Sequence, residues 1–120
     1  MEHLYAIFKL LVNAVNLKHS RHEIRGLAIS LEGACRRILR EHGNKGTIRK
    51  NLNVIIRMTK TIEELVWINL GTENVKHRDT NLDVWPDRIS RIKTRMFPRI
   101  QNRIKAVADE LNFELKEVVT

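Results

Sequence analysis

Seven cationic side chains and no carboxylate lie between Arg88 and Ala108. Five of the seven, which we call the arginine row, follow one another at intervals of 3, 4, 4 and 4 residues: Arg88, Arg91, Arg95, Arg99 and Arg103. On an α-helix this spacing places five guanidinium groups within an arc of about 120°. Like charges at this spacing destabilise a helix, so the row predicts a polyanionic ligand that neutralises it.

Phosphate is the anion that suits such a row. A guanidinium group is planar, permanently charged and matched to phosphate oxygens, and successive arginines lie about 5–6 Å apart. The row can therefore follow a nucleic-acid backbone, although phosphate contacts read no base sequence. We predict that nucleic acid, either RNA or DNA, is the partner. Further cationic candidates are Lys105 and residues on the outer faces of two other predicted helices: Arg36, Arg40, Arg49, Lys50 and Arg57.

The positive charge is concentrated locally. The 120 residues carry a formal net charge of +8, and the stretch 88–108 alone holds seven cationic residues. This favours a binding surface over a general solubilising charge, the alternative being a solvated basic face without a ligand. An acidic end follows the row, at Asp109, Glu110, Glu114 and Glu117. It serves either as a solvated surface or as a contact for the basic row of a neighbouring copy, which would make the protein an oligomer.

Histidines are the residues to test for catalysis. His19 and His22 lie three residues apart and His77 falls in a predicted loop, but no cysteine or carboxylate set completes a metal site around them. The sequence therefore predicts no metal and no cofactor. Glu63 and Glu64 are adjacent and so diverge by about 100° on a helix, which makes them poor partners for acid and base catalysis.

A sharper candidate for catalysis is the pair Arg37 and His42, which four residues separate. This spacing resembles the Arg-x4–6-His signature of the HEPN helical ribonucleases. The resemblance implies that the two side chains act in metal-independent RNA cleavage across a dimer interface. The match covers six residues, and Ile38 stands where that family usually has a polar residue.

The helices that must position these residues are marked by apolar periodicity and by caps. Helix one is expected over about Glu2 to Leu17, with a narrow polar stripe. Ser20 and Glu23 form a capping box for helix two, which should stop at Gly43. A short link then returns helix three antiparallel to helix two, with Thr47 as its cap.

The C-terminal third continues one helical phase. Residues 71–83 form the longest predicted loop, and the last helical region begins between Asp83 and Pro86. We predict one long helix that is kinked near Pro98, the alternative being two helices that meet there. Lys93 falls within the apolar arc of this helix, so it should either snorkel out of it or lie where packing is loose.

Aromatic and cysteine positions bound the function further. Base stacking needs exposed aromatic rings, and Trp85 is the candidate; five others are expected in the core: Tyr5, Phe8, Trp67, Phe97 and Phe113. Cys35 is the single cysteine, so it should pack as a small apolar group in a reducing compartment. The apolar run in helix one is too short to span a bilayer and does not resemble a signal peptide. We therefore expect a cytoplasmic protein, or one packaged in a particle, that does not bind membranes.

Together these features predict an all-α fold, a four-helix bundle that is up-and-down and forms one domain over residues 1–120. The function that we predict is non-catalytic nucleic-acid binding, as a subunit or accessory factor of a nucleoprotein complex. By analogy of size and charge alone, a small helical subunit of a CRISPR-type effector or a phage or mobile-element accessory protein has this profile. Two alternatives remain: an adaptor that docks on an acidic protein, and a HEPN-like ribonuclease.

Overall fold

The computed structural model describes the backbone of residues 1–67 and 85–113, and the side chains of residues 1–66 and 87–113. These residues form helices and no strand, so the all-α prediction is confirmed for the described part of the chain. The first three helices are α1 (Glu2–Asn16), α2 (Arg21–His42) and α3 (Gly46–Trp67). A C-terminal helical stretch follows, made of α4 (Trp85–Arg91), a π-helical turn (Ile92–Met96) and α5 (Phe97–Glu110). The predicted loop at 71–83 and the residues from 114 onward lie outside the described residues.

The ends of α2 follow from local chemistry. The Ser20 hydroxyl accepts a hydrogen bond of 3.2 Å from the Glu23 backbone N–H, which confirms the predicted N-cap. The other half of the predicted capping box is wrong, because the Glu23 carboxylate lies 2.8 Å from His19 Nδ1, outside the helix, rather than on the Ser20 N–H. Gly43 ends α2 as predicted, and a Cβ at this position would overlap the Leu39 carbonyl oxygen. Close approach of the backbone therefore explains this glycine.

The start of α3 differs from the prediction. The helix begins at Gly46, one residue before the expected cap, and the Arg49 N–H donates to the Lys45 carbonyl at 3.0 Å. Thr47 therefore lies inside the first turn, where its side chain is exposed, and does not act as the N-cap.

The core is built by pairwise packing of helices. α2 packs against both α1 and α3, and α3 packs against α5. The edge-to-face contact of the Phe8 and Phe97 rings, at 5.8 Å between centroids, joins α1 to α5. Cys35 is fully buried, and burial raises the pKa of its thiol to about 12, so it packs as predicted. None of the described helices is both long and apolar enough to cross a membrane.

Two contacts fix the direction of the C-terminal helical stretch. Arg88 Nη1 donates to the Leu65 carbonyl at 3.2 Å, and Arg103 Nη1 donates to Asn51 Oδ1 at 2.9 Å. The partner numbers fall along α3 as the arginine numbers rise, so the stretch runs antiparallel to α3. The arginine row consequently lies along one flank of α3.

The π-helical turn ends at Met96, two residues before Pro98. Proline has no N–H, and in an α-helix its ring would crowd the carbonyl of Thr94. Here the Phe97 N–H reaches back five residues to the Ile92 carbonyl, which widens the turn. Lys93 has an exposed side chain, as expected for a lysine that snorkels out of the apolar arc.

The aromatic predictions are confirmed at three positions and wrong at one. Tyr5, Phe8 and Phe97 are buried, whereas Phe113 is 36% exposed. Asn112 has a φ of 53°, so the chain turns away after α5 and Phe113 leaves the apolar face. The side chains of Trp67 and Trp85 lie outside the described residues.

Candidate nucleic-acid interface

The middle of the arginine row faces solvent. Arg91, Arg95 and Arg99 are all exposed, and they lie on α4, the π-helical turn and α5 respectively. Within the described part of the chain, no carboxylate lies within 4.0 Å of these three guanidinium groups. Their charges are therefore available to an anion that approaches from solvent.

The two ends of the arginine row are held against α3. Arg88 and Arg103 are half-buried and donate to a backbone carbonyl and a side-chain amide oxygen, as described above. Burial lowers the pKa of Arg88, and the positive charges of Arg21 and Arg91 lower it further. The Arg103 bond is to a neutral acceptor, which fixes the side chain without cancelling its charge.

The length of the row suits a strand of nucleic acid. Arg91 and Arg103 are twelve residues apart, which corresponds to about 18 Å along a helix. One strand of B-DNA carries a phosphate for every ~3.4 Å of helix axis, so this span covers about five phosphates. A helix fixes these spacings before the ligand arrives, so binding orders little backbone.

Two predicted cationic residues, Lys50 and Arg57, lie on the outer side of α3. Asn51 and Leu65 mark the flank of α3 that the row contacts. At ~100° of rotation per residue, Lys50 and Arg57 lie about 100–120° around the α3 axis from Asn51. This places them on the side of α3 away from its buried seam. Both side chains are exposed. They are therefore further exposed cations on the outer side of α3.

Four other predicted residues do not share this surface. Arg36 forms an ion pair of 3.1 Å with Glu32 on α2. Arg40 and Arg49 line a separate cleft at the turn between α2 and α3. Lys105 is exposed but lies about 200° around α5 from the last arginine of the row.

The structure adds residues that the sequence did not single out. A polar cleft of about 380 Å³ lies between α3 and α5, beside the row, and is lined by Asn51, Arg99, Asn102, Arg103 and Ala106. Asn102 lies between Arg99 and Arg103 in the sequence, so its position beside the arginine row could have been predicted. Asn51 is 52 residues away from Arg103, and only the packing of α3 on α5 brings the two together.

The residues of the ribonuclease-like pair diverge within one chain. Arg37 is exposed and lines a groove of about 540 Å³ between α1 and α2, together with His3 and Leu10. His42 is half-exposed at the end of α2, about 140° around the helix from Arg37. The spacing therefore does not aim the two side chains at a common point in one copy, and RNA cleavage by this pair stays a prediction. The described residues contain no cluster of three or more histidine, cysteine or carboxylate side chains that could hold a metal ion.

No protein-family model matches the chain, and no curated protein or solved structure shows a significant match to it. The charge and geometry of the arginine row are therefore the features from which we infer a function.

Proposed function

We propose that this protein binds nucleic acid without catalysing a reaction, and that its arginine row lies along the phosphate backbone. The supporting observation is the exposure of Arg91, Arg95 and Arg99, without an ion pair to a described carboxylate. The scaffold in this proposal is an up-and-down four-helix bundle in which the last helix bends at Pro98. The protein serves as a subunit or accessory factor of a nucleoprotein complex.

The energetics of the row support a ligand of this kind. Each pair of like charges at i and i+4 destabilises a helix by roughly 0.2–0.5 kcal/mol. Phosphate oxygens remove this repulsion and add charge-assisted hydrogen bonds, which guanidinium groups donate in a fixed planar arrangement. Lys50 and Arg57 lie where a second strand or the continuation of the first would pass.

The proposal is tested with purified protein and short fluorescent strands. Fluorescence anisotropy would compare single-stranded and double-stranded forms of RNA and DNA, and we expect binding that weakens steeply as salt is added. Nucleic acid should also co-purify with the protein from cells and be removed by nuclease. A protein partner that stays bound after nuclease treatment, with no measurable strand binding, would replace this proposal with the adaptor function.

The non-catalytic part of the proposal has its own test. The purified protein, incubated with labelled single-stranded RNA, should leave it intact, and His42→Ala should bind RNA as the unchanged protein does. Cleavage that disappears in His42→Ala and in Arg37→Ala would establish a ribonuclease instead.

A further inference from the structure

We infer that the polar cleft between α3 and α5 binds the acceptor edge of a guanine base, formed by its O6 and N7 atoms. This inference rests on the proposed function, because the cleft shares Arg99 and Arg103 with the arginine row. It goes beyond phosphate binding, since it gives the protein a preference among bases.

The contact with Arg103 fixes the orientation of the Asn51 amide. Arg103 Nη1 lies 2.9 Å from the Asn51 amide, and a guanidinium group can only donate hydrogen bonds. The amide atom that faces Arg103 must therefore be the oxygen. The Asn51 nitrogen, with its two N–H donors, is consequently left for a ligand in the cleft.

The other polar groups of the cleft are mostly donors as well. Arg99 is exposed, lines the cleft, and presents five N–H donors with no acceptor. Asn102 is exposed on the same helix and adds an amide that can either donate or accept. The cleft is therefore complementary to a ligand edge that carries acceptors.

Guanine is the base that offers such an edge. Its O6 and N7 are adjacent acceptors, and a bidentate contact from arginine to these two atoms is the commonest specific contact between proteins and DNA. Adenine presents a donor beside N7 and is matched by the Asn102 amide alone, whereas the two acceptors of guanine are matched by the donors of both Asn51 and Arg99. The methyl group of Ala106 gives the cleft an apolar wall, which a base ring contacts and a phosphate does not use.

The test compares two single strands of equal length, one of adenine only and one in which two separated adenines are replaced by guanine. Binding is measured by fluorescence anisotropy with the full chain. We expect the guanine strand to bind at least about fivefold more tightly, the lower end of the discrimination that one bidentate contact provides. Asn51→Asp replaces the donor nitrogen by an acceptor of the same shape, so it should abolish the preference.

Asn53→Asp is the matched control, because Asn53 is an exposed asparagine on α3 outside the cleft and its substitution makes the same charge change. It should keep the guanine preference. The inference would be overturned if the unchanged protein bound both strands equally, or if the guanine preference survived Asn51→Asp. In either case, strand binding that weakens with salt would still support the proposed function. If a 5′-phosphate on the strand increased the affinity, and this increase required Asn51, the cleft would be a phosphate site and the guanine inference would be overturned. Failure to bind either strand would remove both proposals.

Discussion

Charge reversal at the centre of the arginine row tests most directly whether nucleic acid binds at this surface. Arg91→Glu combined with Arg95→Glu replaces two exposed cations that form no ion pair with a described carboxylate. Neither side chain contributes to the apolar core, so we expect the double variant to fold.

The expected loss of affinity follows from counterion release. The observed binding constant varies with salt to the power of about −0.7 per phosphate contact for single strands and −0.9 for duplexes. Each phosphate contact therefore makes the binding constant at about 0.1 M salt roughly 5 to 8 times larger than at about 1 M salt. Two lost contacts should weaken binding by about 25- to 60-fold, and repulsion by the new carboxylates adds to this.

Arg40→Glu combined with Arg49→Glu is the matched control. It makes the same change in net charge at two exposed positions, but in the separate cleft at the α2–α3 turn. Screening has a length of about 10 Å at 0.1 M salt, so we expect this variant to lose less than about threefold.

Binding would be measured by anisotropy, with circular dichroism and thermal unfolding to verify the fold. Equal losses in the two double variants would show that binding follows net charge rather than the arginine row. Unfolding of the first variant would show that the row has a structural role, and either result would refute the reasoning.

Other predictions concern stability and reactivity. Gly43→Ala should lower the free energy of unfolding by about 1–3 kcal/mol, because its Cβ would overlap a backbone carbonyl one turn earlier; in the same helix Gly33→Ala meets open space and should raise it by roughly 0.5–1 kcal/mol in thermal or urea unfolding. Burial, and then the neighbouring charge of Glu32, raises the pKa of Glu63 above its ordinary value. A raised pKa in the folded state means that stability is lost as pH rises through that pKa, so Glu63→Gln should raise the melting temperature at pH 7 and lose this advantage below about pH 4; a melting temperature unchanged at both pH values would contradict this. Because the pKa of Cys35 is about 12, a thiol reagent at pH 8 should label it only after unfolding, and rapid labelling of the native protein would contradict its burial.

Features that depend on neighbouring residues in the sequence were predictable. The periodicity of apolar residues locates the first two helices to within a residue or so, and Ser20 caps α2 as expected. The spacing of the arginine row likewise predicts that its central members are exposed on one helical stretch. Such signals are local, because they arise from the helical period and from hydrogen bonds within one turn.

Features that depend on packing were not predictable in the same way. The π-helical turn before Pro98 widens the helix at one point, which the spacing of apolar residues alone does not show. Phe113 continues the apolar pattern in the sequence, but the left-handed Asn112 turns the chain away from the core. The contact of Arg103 with Asn51 requires knowledge of which helix lies beside α5.

The measurement that tests the central claim most directly is a salt titration of strand binding by the unchanged protein. If the four row members from Arg91 to Arg103 each neutralise a phosphate, the slope of log K against log salt concentration should be about −2.8 for a single strand and about −3.6 for a duplex. A slope between zero and about −1 would mean at most one phosphate contact, and it would contradict the proposal that the arginine row grips a nucleic-acid backbone.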